Sequence, residues 1–544
     1  MKKFITENKN LVILWILCGV ALFVFCGHYG NILTDIGREI YYPERIIEGK
    51  ALYKDLFNIY GPFSYLYNAL LYKIFSPKLL VLYLSGALCS FAIVSGIYLV
   101  ARKFLSEFLS FSLGVFTIVS GVCAPHLFNY TLPYSYAMLY GTVGFVYSLL
   151  ALIKYKEQNN NLYLYLSMLL GGFCVANKYD FILYGLFLLI TTFFTKNKKV
   201  ILNGITCFII IPVFCLLILL IQGVGINDYS KTFEDIMTLA SSKTLAYFYT
   251  TQGVFFQKKI LSVWGINLLK TCACFGLLLG GVKLLDINKI LGWISILGFS
   301  VILYFADSPL IFVFMVPATI ITAICLIKNY KENYTLIYIL IAILTACGKS
   351  FWVLLTLNYG NYIAPFVLCA FLAILFTALN KKYEKAFAIG LLVLSLNTLV
   401  AFSQARIVLN QKISTSKGTI YSSAQNAQTT NELINGLKAS EAKSAIIYPE
   451  GLLINFLADI RSNDYYNSML PLYVESMNEQ RIVNNLEADK AEFIVLSNAN
   501  MKEYGREYIC DDYAFKFKDF LFENYDNVDD IRSGNFHYVV FAKK

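Results

Sequence analysis

Residues 200–221 read VILNGITCFIIIPVFCLLILLI, a run of 22 residues without a charged side chain. The hydrocarbon core of a bilayer is about 30 Å thick, so about 20 helical residues are needed to cross it. This run therefore predicts a membrane-spanning helix. The sequence predicts an all-α polytopic membrane protein with about 13 transmembrane helices, since further apolar stretches, some of them shorter, lie near residues 11–27, 79–100, 105–123, 134–153, 162–176, 181–194, 260–284, 290–305, 310–327, 334–347, 362–379 and 387–402.

The composition is typical of a membrane protein and excludes an ordinary water-soluble globule. Hydrophobic residues make up 58% of the 544 positions and charged residues 15%, and the mean hydropathy is +0.60. The net charge of +10 is uneven, at +14 before Arg406 and −4 from Arg406 onward. We interpret the basic first part as Lys and Arg in cytoplasmic loops, not as a nucleic-acid surface.

The positions of Lys and Arg predict the orientation, because these residues mark the cytoplasmic ends of spans. With a cytoplasmic N-terminus, the short outside loops hold only Lys178 and Lys349. An odd number of spans then places the C-terminal segment outside, together with two long loops, residues 29–78 and 222–259. We expect the first span to be retained, since no small-residue cleavage site follows it.

Residues 1–403 are thus predicted to form the transmembrane domain, residues 404–430 a polar linker, and residues 431–544 a small extracytoplasmic α/β domain. In this last segment, β-like runs at 444–448, 492–497 and 538–542 alternate with helical patterns at 431–439, 451–457 and 517–525. We interpret Pro449, Glu450 and Gly451 as a strand-to-helix turn. The alternative is that this turn contacts an acceptor.

The first long loop concentrates charge, and its residues 34–75 read TDIGREIYYPERIIEGKALYKDLFNIYGPFSYLYNALLYKIF. The spacing predicts a helix that includes Arg38 and Ile46 and that Gly49 ends. One interpretation is a solvated charged cap followed by an interfacial helix. The other is an acid/base centre that faces a lipid-borne substrate, built from five carboxylates: Asp35, Glu39, Glu44, Glu48 and Asp55.

The order of these motifs resembles that of the GT-C membrane glycosyltransferases, which include RgtA/B/C/D-like proteins, protein-mannosyltransferase-like proteins and the lipid A aminoarabinose transferases. The resemblance covers about the first 400 residues in architecture. It rests on Asp35-x-x-Arg38, Gly49, Leu52-Tyr53-x-Asp55, Tyr60-Gly61-Pro62, Pro133-Tyr134-Ser135 and Tyr359-Gly360-x-Tyr362-x-x-Pro365.

This resemblance implies a hexosyl or pentosyl transferase in the cytoplasmic (inner) membrane of a bacterium, active on its outer face. The donor would be a polyprenyl-phosphate sugar, and the acceptor a lipid, a glycan or a protein. Asp35 is expected to be the base that takes the proton of the acceptor hydroxyl. Several members carry Asp-Glu where this chain has Asp35-Ile36, so Glu39, one helical turn on, is the expected second acid. The resemblance names no certain cofactor and leaves a divalent metal open.

Cations are expected near the departing phosphate, whose negative charge grows at the transition state. Lys178 and Lys349 lie outside, against the general trend, and such charges indicate function. The alternative is that these lysines snorkel to the interface or pair with Asp180. Arg38 and Arg45 are similar candidates, with pairing to neighbouring acids as the alternative. Three tyrosines are candidates for stacking on sugar, although tyrosine is also common at membrane interfaces: Tyr134, Tyr359 and Tyr362.

Two other classes of protein fit part of the pattern. A transporter or flippase of lipid-linked sugars would also have many spans, but such proteins usually show internal repeats, and no repeat is evident here. An enzyme similar to the O-antigen ligases or polymerases is the second alternative. The order of motifs in the first loop favours the glycosyltransferase.

Overall fold

A computed structural model describes residues 8–29, 33, 35–251, 258–305, 308–348, 360–378, 381–534 and 536–544. The part before residue 411 is helical. In chain order, its α-helices are α1 Lys9–Phe25, α2 Ile36–Ile47, α3 Phe63–Phe75, α4 Leu79–Ala101, α5 Glu107–Thr117, α6 Tyr136–Gln158, α7 Asn161–Asn177, α8 Ile182–Phe193, α9 Lys198–Ile221, α10 Ile226–Ala240, α11 Lys243–Thr251, α12 Lys258–Leu284, α13 Lys289–Phe305, α14 Ser308–Leu326, α15 Tyr334–Ala346, α16 Gly360–Ala378 and α17 Glu384–Val408.

Four helices in these described ranges are long and apolar enough to cross a membrane, namely α4, α6, α9 and α17. Among the described residues, the further apolar helical stretches cover only 10–17 residues, so the predicted number of about 13 spans is not confirmed. The predicted spans at residues 105–123 and 162–176 show why the number of spans is not confirmed. They fold as α5 with a π-helical turn at Ile118–Val122, and as the 17-residue α7, both shorter than the roughly 20 residues that a perpendicular crossing requires.

The first long loop contains α2 and α3, which lie against other parts of the protein. Ten of the twelve residues of α2 are buried, so this helix is not a solvated cap. The helix ends at Ile47, and Gly49 follows with a φ of +96°. A positive φ is the conformation that favours glycine at a helix C-terminus, so the predicted end of the helix is confirmed.

The C-terminal region, residues 411–544, contains two small sheets. Strands β1 Gln411–Thr415 and β2 Gly418–Ser422 form an antiparallel hairpin, and β3 Ala445–Tyr448, β4 Phe493–Ser497, β5 Tyr525–Ser533 and β6 Phe536–Lys543 form a sheet in the order β3-β4-β6-β5. Strands β3 and β4 are parallel, and the other pairs are antiparallel. The helices of this region are α18 Ala424–Ala439, α19 Leu452–Ala458, α20 Pro471–Ser476, α21 Glu479–Ala488 and α22 Phe515–Asn524.

Residues 404–430, expected as a linker, contain the end of α17, the β1–β2 hairpin and the start of α18. The hairpin forms around one apolar pair, because Ile413 and Ile420 lie opposite each other and are fully buried. Two isolated apolar residues among Ser, Thr and Lys give too weak an alternation for the sequence to predict strands.

The C-terminal region packs directly on the first long loop. A Cβ atom placed on Gly37 of α2 would lie 2.4 Å from the Leu453 nitrogen of α19, so the two backbones are in close contact. The Lys417 ammonium pairs with Glu44 of α2 and lies 2.9 Å from Asp459. The Ser462 N–H donates a hydrogen bond of 2.7 Å to the Tyr41 hydroxyl. Backbone contact and ion pairs therefore hold α2 beneath this region.

The second long loop, residues 222–259, contributes α10 and α11 to the same assembly. Arg481 of α21 lies 2.9 Å from Asp235 of α10. The Glu475 carboxylate accepts hydrogen bonds of 2.9 and 2.8 Å from the N–H groups of Lys243 and Thr244, at the start of α11. Both long loops thus lie against the C-terminal region.

Candidate active site

Asp35 directly precedes α2, and its side chain is paired with Arg38. The Arg38 Nη2 atom lies 3.1 Å from Asp35 Oδ1. Asp35 has a φ of +44°, an uncommon backbone conformation that costs energy in a residue with a side chain and is often found at functional sites. Burial raises the pKa of the Asp35 carboxyl above its usual value, while the charges of Arg38 and Lys178 oppose this shift.

Lys178 approaches the same place from the break between α7 and α8. Its side chain is 3% exposed, and its Nζ atom lies 4.5 Å from the centre of the Tyr60 ring and 3.7 Å from Asp180. The Arg38 guanidinium lies 5.1 Å from the same Tyr60 ring. Two cations therefore contact one aromatic ring beside Asp35, at distances typical of cation–π interactions.

Gly61 explains how Tyr60 reaches this position. A Cβ atom on Gly61 would lie 2.3 Å from the Ala176 carbonyl oxygen, so the Tyr60-Gly61-Pro62 turn touches the end of α7 as only glycine allows. The Tyr60 and Tyr134 hydroxyls are hydrogen-bonded at 3.0 Å. Tyr134, a predicted site residue, therefore lies next to the Tyr60 ring that Arg38 and Lys178 contact.

Glu39 is buried one turn after Asp35, and both of its carboxylate oxygens accept hydrogen bonds. The Tyr65 hydroxyl donates to Oε1, and the Tyr136 N–H donates to Oε2 at 2.8 Å. Tyr136 is the first residue of α6, where a carboxylate is favoured by the unpaired N–H groups and by the helix dipole. Glu39 thus joins α2 to α3 and to the start of a long apolar helix.

A second carboxyl group, Glu450, comes from the C-terminal region and faces Asp35. Burial and the Asp35 carboxylate raise the pKa of Glu450 well above its usual value, although Arg38 and a hydrogen bond from the Asp35 backbone oppose this shift. Two adjacent carboxyl groups do not ionise together easily. We therefore expect Glu450 to keep its proton at a pH at which Asp35 is ionised.

Asp35, Arg38 and Glu450 line a small cleft between α2 and the C-terminal region. The cleft lies where the chain turns from β3 into α19. Its walls combine charged, amide, hydroxyl and aromatic groups, from Leu33, Asp35, Gly37, Arg38, Tyr42, Glu450, Gly451, Leu452, Tyr466, Asn467 and Ser468.

Some predicted site residues lie elsewhere. Arg45 pairs with Glu48 and lies 5.5 Å from the Tyr41 ring, so it contacts neighbours on its own helix rather than the cleft. Tyr362 is buried in α16, stacks on Tyr130, and donates a hydrogen bond of 3.4 Å to the Leu127 carbonyl. Two further predicted residues lie outside the described residues: Lys349 and Tyr359.

The prediction from sequence did not include Glu450, Asn467 or Ser468 among the site residues. A signal for Glu450 was present, because it follows a strand that pairs in parallel with β4, and ligands often bind beyond the carboxyl ends of parallel strands. The turn was interpreted as structural instead. Among the described residues, no group of three or more His, Cys, Asp or Glu side chains is arranged to hold a metal ion.

No protein-family model and no curated protein sequence matches this chain. Solved structures do match it. ArnT from Cupriavidus metallidurans, crystallised with undecaprenyl phosphate, has a TM-score of 0.50 and 11% sequence identity, over 98% of this chain and 98% of that chain. The Archaeoglobus fulgidus oligosaccharyltransferase, in complex with zinc and sulfate, has a TM-score of 0.48 and 13% identity, over 90% of this chain and 68% of that chain.

The similarity to ArnT extends over nearly the full length of both proteins, including the C-terminal region. At this level of identity the similarity concerns the fold. The chain therefore shares the fold of ArnT, in agreement with the fold that the resemblance of its first long loop implied.

Proposed function

We propose that this protein is a membrane glycosyltransferase that transfers a sugar from a polyprenyl-phosphate donor to a hydroxyl group of an acceptor. It would act on the outer face of a bacterial cytoplasmic membrane, with the N-terminus in the cytoplasm and the C-terminal region outside. The observation that carries the proposal is the convergence of Asp35, Arg38 and Lys178 in one largely buried place. A carboxylate between two cations suits the transfer of a group from a phosphate to a hydroxyl.

In the proposed reaction, Asp35 accepts the proton of the acceptor hydroxyl while the acceptor oxygen bonds to the anomeric carbon. The bond between that carbon and the phosphate oxygen breaks, and the polyprenyl phosphate leaves with the electron pair. Arg38 and Lys178 stabilise the charge that develops on the phosphate. Attack opposite the leaving group inverts the anomeric configuration, since one carboxylate acts as base and forms no covalent intermediate.

The remaining predicted residues take different roles in this proposal. Glu39 is a positioning residue, because both of its oxygens are used to hold α3 and α6 against α2. Tyr134 positions Tyr60 beneath the two cations. Phosphate contact by Lys349 and sugar stacking by Tyr359 stay predictions. The contacts of Arg45 and Tyr362 support structural roles.

The test is transfer of labelled sugar from a panel of polyprenyl-phosphate sugars, in membranes that contain equal amounts of wild type or Asp35→Asn. We expect the wild type to transfer the label and the variant to lose activity by about 10²–10⁴-fold, the usual size of a general-base effect. Glu48→Gln is the matched control, because Glu48 also flanks α2 but pairs with Arg45 and Arg461 outside the cleft.

Two outcomes would contradict the proposal. If Asp35→Asn transfers sugar as well as Glu48→Gln, Asp35 is not the base. If the membranes move lipid-linked sugar between leaflets without transferring it to an acceptor, the protein is a flippase.

A further inference from the structure

The wall of the cleft that belongs to the C-terminal region contains polar atoms without partners. Asn467 and Ser468 are both more than nine-tenths buried. The Ser468 hydroxyl makes no hydrogen bond to another described residue, and the same is true of Arg38 Nε across the cleft. The Asn467 amide lies beside them and interacts with the Tyr42 hydroxyl, which also lines the cleft. Buried polar groups are normally paired, because leaving them unpaired is costly. These atoms therefore indicate a place where a polar ligand binds.

The loop that carries these side chains is held rigidly by Asp464. Its carboxylate accepts hydrogen bonds from the Tyr448 hydroxyl at 2.9 Å and from the Tyr466 N–H at 3.0 Å. The backbone N–H groups of Asn467 and Ser468 contact the same carboxylate. Asn467 adopts a φ of +55°, a left-handed conformation that asparagine adopts more readily than most residues with a side chain. This loop thus presents fixed donors and acceptors to the cleft.

The position of the loop relative to the cations indicates which substrate it contacts. Lys178 approaches Asp35 from the end of the apolar helix α7, and the Tyr60 turn of the first long loop touches the same end. The phosphate of a lipid-linked donor would lie on this side. Asn467 and Ser468 approach the cleft from the C-terminal region. Because an inverting reaction requires the acceptor to attack opposite the leaving phosphate, the acceptor belongs on the side of Asn467 and Ser468.

We infer that Asn467, Ser468 and Glu450 form a subsite for a sugar ring of the acceptor, so that the acceptor is a glycan or a glycolipid. This inference rests on the proposed function. An amide, a hydroxyl and a carboxyl group offer both donors and acceptors, which matches the adjacent hydroxyls of a sugar.

The experiment compares Asn467→Gly and Ser468→Ala with the wild type in membranes that receive a labelled polyprenyl-phosphate sugar. Glycine keeps the positive φ at residue 467 and removes only the side chain. Asn159→Gly is the matched control, because Asn159 also has a positive φ, of +51°, but lies at the C-terminal end of α6. Three quantities are measured: label in glycan or glycolipid, label in protein, and label released as free sugar by transfer to water.

We expect the wild type to label glycan or glycolipid. Each variant should lower this transfer by roughly 3- to 30-fold, as the loss of one or two hydrogen bonds predicts, with release of free sugar within twofold of the wild type. Label in protein, unchanged transfer in both variants, or an equal fall in transfer and release would each overturn the inference. A wild type that consumes no donor is a different result, because it contradicts the proposed function itself.

Discussion

Gly37 lies against Leu453 so closely that a Cβ atom on Gly37 would be 2.4 Å from the Leu453 nitrogen. We expect Gly37→Ala to force α2 and α19 apart, because the backbone of α19 has no flexible end that can move aside. Overpacking of this kind costs about 1–3 kcal/mol. Sugar transfer should fall by at least about tenfold, and limited proteolysis should cut the C-terminal region faster than in the wild type.

Gly436→Ala is the control for this change. A Cβ atom on Gly436 of α18 meets no atom within 4 Å, and alanine is favoured over glycine in a helix by about 0.5–1 kcal/mol. This variant should be as active and as resistant to protease as the wild type. Equal behaviour of the two alanine variants would show that the contact between Gly37 and Leu453 is unimportant for the site.

Lys178 provides a test of the phosphate contact. Its ammonium group is almost fully buried beside Tyr60, so its charge is poorly screened by water. We expect Lys178→Gln to lower kcat roughly a hundredfold, the usual effect of removing one group that stabilises developing charge, and Lys178→Arg to recover part of the loss. The measurement is the initial rate of sugar transfer at several donor concentrations.

Lys54→Gln is the matched control for Lys178, since Lys54 is an exposed lysine of the first long loop that reaches the Gly223 carbonyl at 3.3 Å. It should leave kcat within about twofold of the wild type, as surface substitutions usually do. If both glutamine variants behave alike, the buried cation has no role in the reaction.

Local sequence named three residues that lie together on one side of the candidate site, and their roles in the reaction stay predictions. Asp35 and Arg38 are one helical turn apart, so their pairing follows from helix geometry alone. Lys178 was predicted because a lysine in a short outside loop departs from the usual distribution of charge. The structure brings all three together. The end of α2 at Gly49 was likewise predicted from a residue type with one dominant physical cause.

The other side of the cleft could not be predicted in the same way. Asn467 has no local motif, and its position in the cleft becomes evident only when the C-terminal region packs on α2. Glu450 lies in an ordinary strand-to-helix turn, and its proximity to Asp35 depends on the contact between Gly37 and Leu453. Arg45 follows the alternative that helical spacing offered, because it pairs with the neighbouring acid Glu48.

Glu450 predicts a distinctive pH dependence of sugar transfer. Activity should rise with pH as Asp35 ionises, and fall again at higher pH as Glu450 loses the proton that burial and the Asp35 carboxylate help it to retain. In Glu450→Gln, the amide imitates the protonated acid. We expect this variant to keep the rising limb and lose the falling limb, as measured by transfer rates over the pH range in which the wild type is stable.

The control for this profile is Glu48→Gln, which should keep both limbs because Glu48 lies outside the cleft. A falling limb that persists in Glu450→Gln would mean that another group is responsible. A rising limb that shifts strongly in the same variant would contradict the assignment of Asp35 as the first of the two carboxyl groups to ionise.

Asp464 predicts how stability depends on pH. Burial raises the pKa of this carboxyl from 3.8 to about 6, although the Tyr448 hydroxyl and the backbone N–H groups around it oppose the shift. The folded protein thus holds the proton more tightly than the unfolded chain does. The stabilisation is complete below about pH 4 and is lost as the pH rises through about 6, a change of about 3 kcal/mol.

We therefore expect the Tm of the full-length protein in detergent to fall between pH 4.5 and pH 7 by more in the wild type than in Asp464→Asn, which does not titrate. Asp530→Asn is the control, because Arg532 holds the pKa of Asp530 below its usual value, and its titration lies below this pH range. An Asp464→Asn variant with the same pH dependence as the wild type would show that the carboxyl under the Asn467 loop is already ionised at pH 4.5. In that case the loop is held by a charged acceptor at every pH at which the protein folds, and the proposed acceptor subsite keeps its shape independently of pH.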